Sequence, residues 1–167
     1  MSYVQKRHRC CLKSKDTKKL NVEISEKFGI EIQEYFEPKI RVESYEIDAV
    51  TVFLFNGKPL LAKSNDTLFF TLIFEEIFSQ FSKIIVDMGA VPYVCKGADV
   101  MAPGICEIQG DFNENELVLV VDERHHKPLA VGLALFSSEE MKKIKNGKVI
   151  KTLHYVGDKL WGSLKAS

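Results

Sequence analysis

The chain has 167 residues, 46% of them hydrophobic, and a formal net charge of zero at pH 7. This length is enough to bury a substantial core, as one large domain or as two small ones, and we favour two. No apolar run approaches the roughly eighteen residues that cross a bilayer. The basic start is not followed by the apolar segment of a secretion signal, so we expect a soluble, cytoplasmic protein without a membrane partner.

The charge is unevenly distributed along the chain. Residues 1–19 carry seven Lys or Arg against one acid, and residues 141–167 carry seven lysines against one acid. Residues 20–140 carry nine basic and 21 acidic residues. We therefore expect an electrically polarised molecule whose basic ends could meet RNA phosphates, although ordinary solvated faces would give the same pattern.

The cysteine and histidine patterns do not predict a metal or cofactor site. Cys10, Cys11, Cys95 and Cys106 form no C-x-x-C pair, which argues against a zinc knuckle or a redox motif. His125 and His126 are adjacent in a polar turn, and neighbouring residues chelate one metal poorly, so we interpret them as loop histidines.

The first forty residues predict two helical segments. Ser14 can cap a helix from about Lys15 to Phe28, because apolar residues recur there every three or four positions. Gly29 follows as a helix end. A second short helical piece, residues 31–36, should stop before Pro38.

Residues 39–64 alternate with a period of two and predict a meander of three antiparallel strands. Asn56-Gly57 is typical of a type I′ hairpin turn. Residues 67–81 are dense in apolar side chains on more than one side, and we interpret them as a helix between two surfaces, although an ordinary core helix fits as well. The predicted domains are residues 1–82, an N-terminal α+β domain with an antiparallel sheet in an α/β sandwich-like arrangement, and residues 83–167.

Residues 83–105 form a compact unit. An apolar strand leads to a short helix, Ala90–Lys96, and Gly97 occupies the position of a left-handed helix end. A second short strand, Asp99–Met101, runs into a sharp turn at residues 102–104.

The remaining chain predicts an all-β arrangement with a short helix that starts near Ser137. Its strands are residues 116–122, 128–136, 149–155 and 159–164, with a polar turn at 123–127. Gly132 can provide a bend or bulge at a barrel corner. These short strands fit a small closed barrel, so the overall class is α+β. Trp161, on the last strand, is either a core plug or a residue that stacks on a base.

Several segments resemble the signature of the PUA domain, a small pseudo-barrel that binds structured RNA. They are residues 86–90 (VDMGA), 96–101 (KGADVM), 103–105 (PGI), 130–132 (AVG), 136–140 (FSSEE) and 146–148 (NGK). The tail LHYVGDKLW, residues 153–161, is similar to the malignant-T-cell-amplified-sequence and ligatin families of translation factors, in the archaeal stand-alone form. The resemblance implies a PUA-type β pseudo-barrel at 83–167.

The same resemblance implies a non-catalytic protein that contacts tRNA or rRNA in translation initiation or recycling. It also implies that an initiation-factor-like protein docks on the N-terminal half. Two alternatives stay open: a protein-interaction adaptor, and an accessory RNA-binding subunit of a tRNA- or rRNA-modifying enzyme. We do not expect an enzyme, because the sequence has no phosphate-binding loop, no dinucleotide fingerprint and no partnered nucleophile.

In PUA domains RNA lies across the first helix and the strands beside it, and the resemblance carries this role to one set of residues. They are Lys96, Gly97, Ala98, Met101, Ala102, Pro103 and Gly104, with Lys145, Lys148 and Lys151 on a flanking strand. The glycines would let a phosphodiester approach main-chain N–H groups, or they merely end a helix and form a turn. Pro92 and Tyr93 stand where relatives often present further basic residues.

Overall fold

The computed structural model describes residues 8–36 and 39–165. The chain forms two compact units that divide between Leu68 and Phe69. Lys6 and Arg7 of the basic start, and the helix stop predicted at Pro38, lie outside the described residues. The domain boundary predicted between residues 82 and 83 stays a prediction.

The first unit contains one helix and a sheet whose strands follow the chain order, β1-β2-β3-β4-β5. The helix is α1 (Ser14–Phe28), and the strands are β1 (Cys10–Cys11), β2 (Val42–Ile47), β3 (Val50–Phe55), β4 (Lys58–Ser64) and β5 (Thr67–Phe70). The pairs from β1 to β4 are antiparallel, and β5 spans the division between the units. The predicted meander is confirmed, and its turn has positive φ at Asn56 (51°) and Gly57 (85°).

Helix α1 confirms its predicted span and differs at its start. Leu20 and Ile24 are buried on one side of it, and Gly29 ends it with φ of 65°. Ser14 is the first helical residue and not the cap, because the capping position falls on Lys13, without a side-chain hydrogen bond. The second predicted helix is a 3₁₀ turn, Ile32–Tyr35.

The predicted helix at residues 67–81 is wrong. The segment begins as strand β5 and continues, after a turn, as a 3₁₀ helix, Glu75–Gln80. Its apolar residues cover more than one side because Leu68, Phe69 and Phe70 are all buried along a strand, and a strand covered on both faces reads as a continuous apolar run. The 3₁₀ helix then brings the Phe78 and Phe81 rings to 5.9 and 4.3 Å from the Phe70 ring.

The second unit is built on a curled six-stranded sheet in the order β7-β11-β10-β9-β6-β8. The strands are β6 (Lys83–Val86), β7 (Val100–Met101), β8 (Ile105–Gln109), β9 (Leu117–Asp122), β10 (Pro128–Ala134) and β11 (Lys148–Tyr155). Three short helices accompany them: α2 (Val91–Val94), α3 (Ser138–Met141) and α4 (Lys159–Lys165). Strands β6 and β9 are parallel, and the other pairs are antiparallel. The predicted α+β class and pseudo-barrel are confirmed.

Gly132 lets two strands of this sheet pack closely. The ladder between β10 and β11 shifts register between Val131 and Gly132, and a Cβ on Gly132 would collide with the side chain of Ile150. The predicted bulge is therefore confirmed. The core beside it includes Ile84, Val118 and Ile150, which are fully buried.

The predicted last strand, residues 159–164, is wrong, because this segment is helix α4. Asp158 Oδ1 accepts the N–H of Trp161 at 2.6 Å, which satisfies a donor in the first turn of the helix. Leu160 and Leu164 are buried on one side. Trp161 is only partly buried, and Lys165 Nζ lies 4.6 Å from the centroid of its ring. It therefore does not fill the core as a plug would.

His154, in contrast, is fully buried in the second unit. Its Nδ1 lies 2.8 Å from Asp158 Oδ2, and its Nε2 accepts the N–H of Leu72 at 3.2 Å. These partners assign the ring proton to Nδ1. In the part of the chain that the structure describes, no helix is long and apolar enough to cross a membrane.

Candidate nucleic-acid interface

A pocket of about 350 Å³ opens on the surface of the second unit, beside helix α2 and strand β7. Its lining is Asp87, Gly89, Ala90, Tyr93, Val94, Ala98, Asp99, Val100, Met101, Pro103 and Gly104. All of these residues belong to the compact unit that the sequence singles out. A cavity of this size, with apolar walls and a few polar groups, suits one small organic group.

Helix α2 is a single turn that its flanking residues hold in place. Asp87 Oδ1 accepts the N–H of Ala90 at 2.8 Å just before the turn begins. Pro92 lies in the first turn, as predicted. Val94 is buried and anchors the turn. Tyr93 consequently points outward with 67% of its surface exposed, at the wall of the pocket.

Gly97 ends this helical segment with φ of 92°, which confirms the predicted left-handed position. The main-chain N–H groups of Lys96, Gly97 and Ala98 all donate to carbonyl groups of Tyr93 or Val94. These N–H groups are therefore not free for a phosphate, and the predicted approach to them at Gly97 is wrong. A Cβ on Gly97 would also lie only 2.9 Å from the Tyr155 ring, so the glycine serves close packing.

The turn at residues 102–104 joins two parts of the unit. Ala102 donates its N–H to Gly147 O at 2.8 Å, and Gly104 O accepts the N–H of Asp87 at 2.9 Å. A Cβ on Gly104 would lie 3.1 Å from Ala90 Cβ, which makes Gly104 a tight neighbour of the helical turn. The pocket wall is thus connected to the strands on both sides.

Asp99 is the best-connected polar group of the pocket. Its Oδ2 lies 2.9 Å from Lys148 Nζ, and its Oδ1 accepts the N–H of Thr152 at 2.9 Å. Burial alone would raise the pKa of Asp99, but the hydrogen bonds from Lys148 and Thr152 and the charge of Lys151 outweigh it and lower the pKa. Asp99 is therefore a carboxylate near neutral pH.

The structure brings only part of the predicted set to the pocket. Ala98, Met101, Pro103 and Gly104 line it, whereas Lys96, Gly97, Ala102, Lys145, Lys148 and Lys151 do not. Lys148 and Lys151 lower the pKa of Asp99. Lys145 is exposed and precedes Gly147, whose carbonyl oxygen accepts the N–H of Ala102.

Seven lining residues were not in the predicted set, and the three of them with polar side-chain groups are Tyr93, Asp87 and Asp99. The signal for Tyr93 was available in the sequence. A short helix buries one side, and the three-residue spacing of Val91 and Val94 places Tyr93 off that side. Among the described residues, no group of three or more His, Cys, Asp or Glu is placed to hold a metal ion.

Two family models match the chain. A model described as the PUA domain matches residues 82–156, and a model described as a domain of unknown function, DUF1947, matches residues 6–74. The second unit is therefore a PUA domain, as its segments predict.

Relatives of this chain share both halves. An uncharacterized protein of Methanocaldococcus jannaschii is 40% identical over 156 residues, which are 93% of this chain and 96% of that protein. Translation machinery-associated protein 20 of Eremothecium gossypii is 30% identical over 121 residues, 68% of this chain and 67% of that protein. A crystal structure of a hypothetical protein from Pyrococcus horikoshii is 34% identical, with a TM-score of 0.77 over 93% of this chain and 98% of that one.

The chain belongs to this family, in which a DUF1947 domain precedes a PUA domain and which includes the proteins named translation machinery-associated protein 20 and malignant T-cell-amplified sequence.

Proposed function

We propose that this protein is a non-catalytic, cytoplasmic RNA-binding protein of the translation apparatus that contacts tRNA or rRNA through its PUA domain. The observation that carries the proposal is the open pocket, because four residues that the PUA resemblance assigns to RNA line it. Tyr93 and Met101, at its wall, are among the large hydrophobic side chains that the fold leaves exposed.

The chemistry of the pocket suits an unpaired nucleotide. Val94 and Val100 give it an apolar floor, and an exposed aromatic ring such as Tyr93 can stack on a base. The carboxylate of Asp87, which also lines the pocket, can accept a hydrogen bond from an exocyclic amino group, as acidic residues do from cytosine. Proteins read RNA sequence mainly at unpaired loops and ends, so the preferred target is an unpaired base at the edge of a structured RNA.

Phosphate contacts come from lysines around the pocket. Lys96 follows helix α2, and exposed Lys145, Lys148 and Lys151 lie in or before strand β11. Lys148 is also paired with the carboxylate of Asp99. Few free cations predict moderate affinity, and any phosphate contact makes that affinity salt-dependent.

We further propose a protein partner for the first unit, an initiation-factor-like protein as the family resemblance implies. Support for this partner comes from the resemblance alone, since a single exposed apolar residue such as Val22, 55% exposed on helix α1, does not form an apolar patch. A pull-down after nuclease treatment separates this proposal from the adaptor alternative. A protein-interaction adaptor would keep all its partners when RNA is destroyed, whereas an RNA-binding protein would lose the partners that RNA holds.

The test is fluorescence anisotropy with labelled bulk tRNA and a labelled rRNA hairpin, titrated at several salt concentrations. We expect binding that weakens with salt, and a loss of about tenfold or more in Lys96→Glu, because a repelling charge replaces a phosphate contact. Lys58→Glu is the matched control, because Lys58 is an exposed lysine of the first unit. A flat salt response, or equal affinities for the two variants, would refute the proposal.

A further inference from the structure

The turn between strands β9 and β10 presents an unusual row of side chains. Arg124, His125, His126 and Lys127 are consecutive and all exposed. Each side chain carries at least one N–H group that can donate a hydrogen bond to a phosphate oxygen. Within the described part of the chain, no hydrogen bond or ion pair engages these four side chains, so they are available to a partner.

The backbone of this turn is fixed by a single buried carboxylate. Asp122 is only 4% exposed. Its Oδ1 accepts the N–H groups of His125 at 2.7 Å and Arg124 at 2.9 Å, and its Oδ2 accepts that of Lys127 at 3.0 Å. The hydrogen bond from His125 and the other two lower the pKa of Asp122. A preformed turn loses little backbone freedom when it binds.

Glu123, the acidic residue of the turn, has both carboxylate oxygens engaged by other groups of the protein. Glu123 Oε1 accepts the N–H of Met88 at 3.1 Å, and its Oε2 accepts the thiol of Cys106 at 3.1 Å. The N–H of Glu123 donates to Val86 O at 3.0 Å. The turn is therefore attached to the segment that follows β6, whose Asp87 and Gly89 line the pocket.

We propose that this turn is a second contact for the RNA backbone, beside the pocket. It would hold the strand whose unpaired base enters the pocket, with Arg124 and Lys127 on phosphates and the histidines donating hydrogen bonds or stacking. The proposal rests on the proposed function. Asp122 and Glu123 balance the two cations of the segment, so the contact is local and contributes little long-range steering.

The position of the turn determines how long an RNA segment must be to contact both Lys148 and the turn. Lys148 begins β11 at the end of the sheet where Ile150 pairs with Ala134. The turn lies at the other end of β10, seven residues away, which is about 20 Å along a strand. An RNA strand that contacts both Lys148 and the turn therefore has to span about 20 Å.

The experiment compares the full chain with Arg124→Ser/Lys127→Ser in RNA titrations over a range of salt. We expect the slope of log affinity against log salt to become shallower by about 1.5, because about two phosphate contacts are lost. The affinity at low salt should fall about tenfold or more. Lys18→Ser/Lys19→Ser is the control, since it makes the same change in charge on exposed residues of α1.

The possible failures can be told apart. If the wild-type chain does not bind RNA, or if Lys96→Glu binds as well as wild type, the proposed function fails and this inference with it. If Lys96→Glu weakens binding while the turn variant keeps the slope of the control, only the second contact is refuted.

Ultraviolet crosslinking of wild-type protein to RNA gives a result that does not depend on a variant. Peptide mapping should place crosslinks within residues 124–127 as well as at Tyr93. Crosslinks at Tyr93 without any in the turn would overturn the inference.

Discussion

Lys148 Nζ lies 2.9 Å from Asp99 Oδ2, so a lysine that the resemblance assigns to RNA is already paired with a carboxylate of the pocket wall. Lys148 keeps 52% of its side chain exposed, and Asp99 keeps 27%. A pair this exposed contributes little to stability, about 0–1 kcal/mol. The pairing therefore matters more for the charge that the pocket presents than for the fold.

Replacing Asp99 by Asn should strengthen RNA binding. The amide oxygen can still accept the N–H of Thr152, while Lys148 loses its acidic partner. We expect a gain of about two- to fivefold in affinity, the equivalent of a surface charge interaction, measured by anisotropy at low salt. Lys148→Gln should have the opposite effect. Weaker binding by Asp99→Asn would instead indicate that the carboxylate contacts the RNA directly.

Tyr93→Ala should weaken RNA binding by about 1–3 kcal/mol, the usual contribution of a stacked base. Its effect on stability should be small, because the side chain is largely exposed. Tyr93→Phe keeps the ring and should bind almost as well as wild type. Equal losses in the two variants would show that the hydroxyl group, and not stacking, makes the contact.

Cys106 should be slow to alkylate although it is exposed. The hydrogen bond to Glu123 raises the pKa of Cys106 to about 11, and only the thiolate reacts. Glu123→Gln keeps an oxygen for the N–H of Met88 but removes the charge, so the rate with iodoacetamide at pH 8.5 should rise about tenfold. Cys10, followed in the same mass spectra, should not change. An unaltered rate at Cys106 would contradict the pairing.

Gly97→Ala should destabilise the second unit more than Gly157→Ala. Both glycines have φ near 95° (92° and 99°), so each alanine carries backbone strain of about 1–3 kcal/mol. A Cβ at Gly157 meets no atom within 4 Å, whereas one at Gly97 meets the Tyr155 ring. The difference, about 1 kcal/mol or more, can be measured by urea unfolding with the fluorescence of Trp161, the single tryptophan.

Asp158 should stabilise the second unit in a pH-dependent way. Burial alone would raise the pKa of Asp158, but hydrogen bonds from His154 and from two main-chain N–H groups lower it overall. A lowered folded pKa means that the stabilisation is complete above the unfolded pKa, near 4, and is lost as pH falls through the folded pKa. Asp158→Asn should therefore cost about 1–3 kcal/mol at pH 7 and progressively less below pH 4.

Urea titrations between pH 7 and pH 3 would check this trend. Glu114→Gln, a change at an exposed residue, should show no such convergence. A constant deficit for Asp158→Asn across that range would contradict the assigned role.

The sequence predicted the elements that local chemistry determines. Asn56-Gly57 and Gly97 require positive φ, and both occur where the pattern placed them. Ser137 was expected near a helix start, and its Oγ accepts the N–H of Glu140. These features depend on a few neighbouring residues, which is why one sequence sufficed.

The misassigned elements depend on contacts that are distant in sequence. Leu68, Phe69 and Phe70 suit a strand or a helix equally well, and their place in a sheet decided the outcome. For the last element, the capping potential of Asp158 three residues before Trp161 was the overlooked signal. The sequence singled out the segment that lines the pocket, but the shape of the pocket could not be derived, since its walls come from a helix, a strand and two turns.

The way Asp122 holds its turn has a consequence for protein engineering. Because main-chain amides supply all the contacts, the outward side chains at positions 124, 125 and 127 can be exchanged without disturbing the scaffold. Position 126, with φ of 51°, would accept asparagine or glycine best. The turn is thus a natural place to install a fluorophore or a crosslinker that reports on whatever approaches the PUA domain.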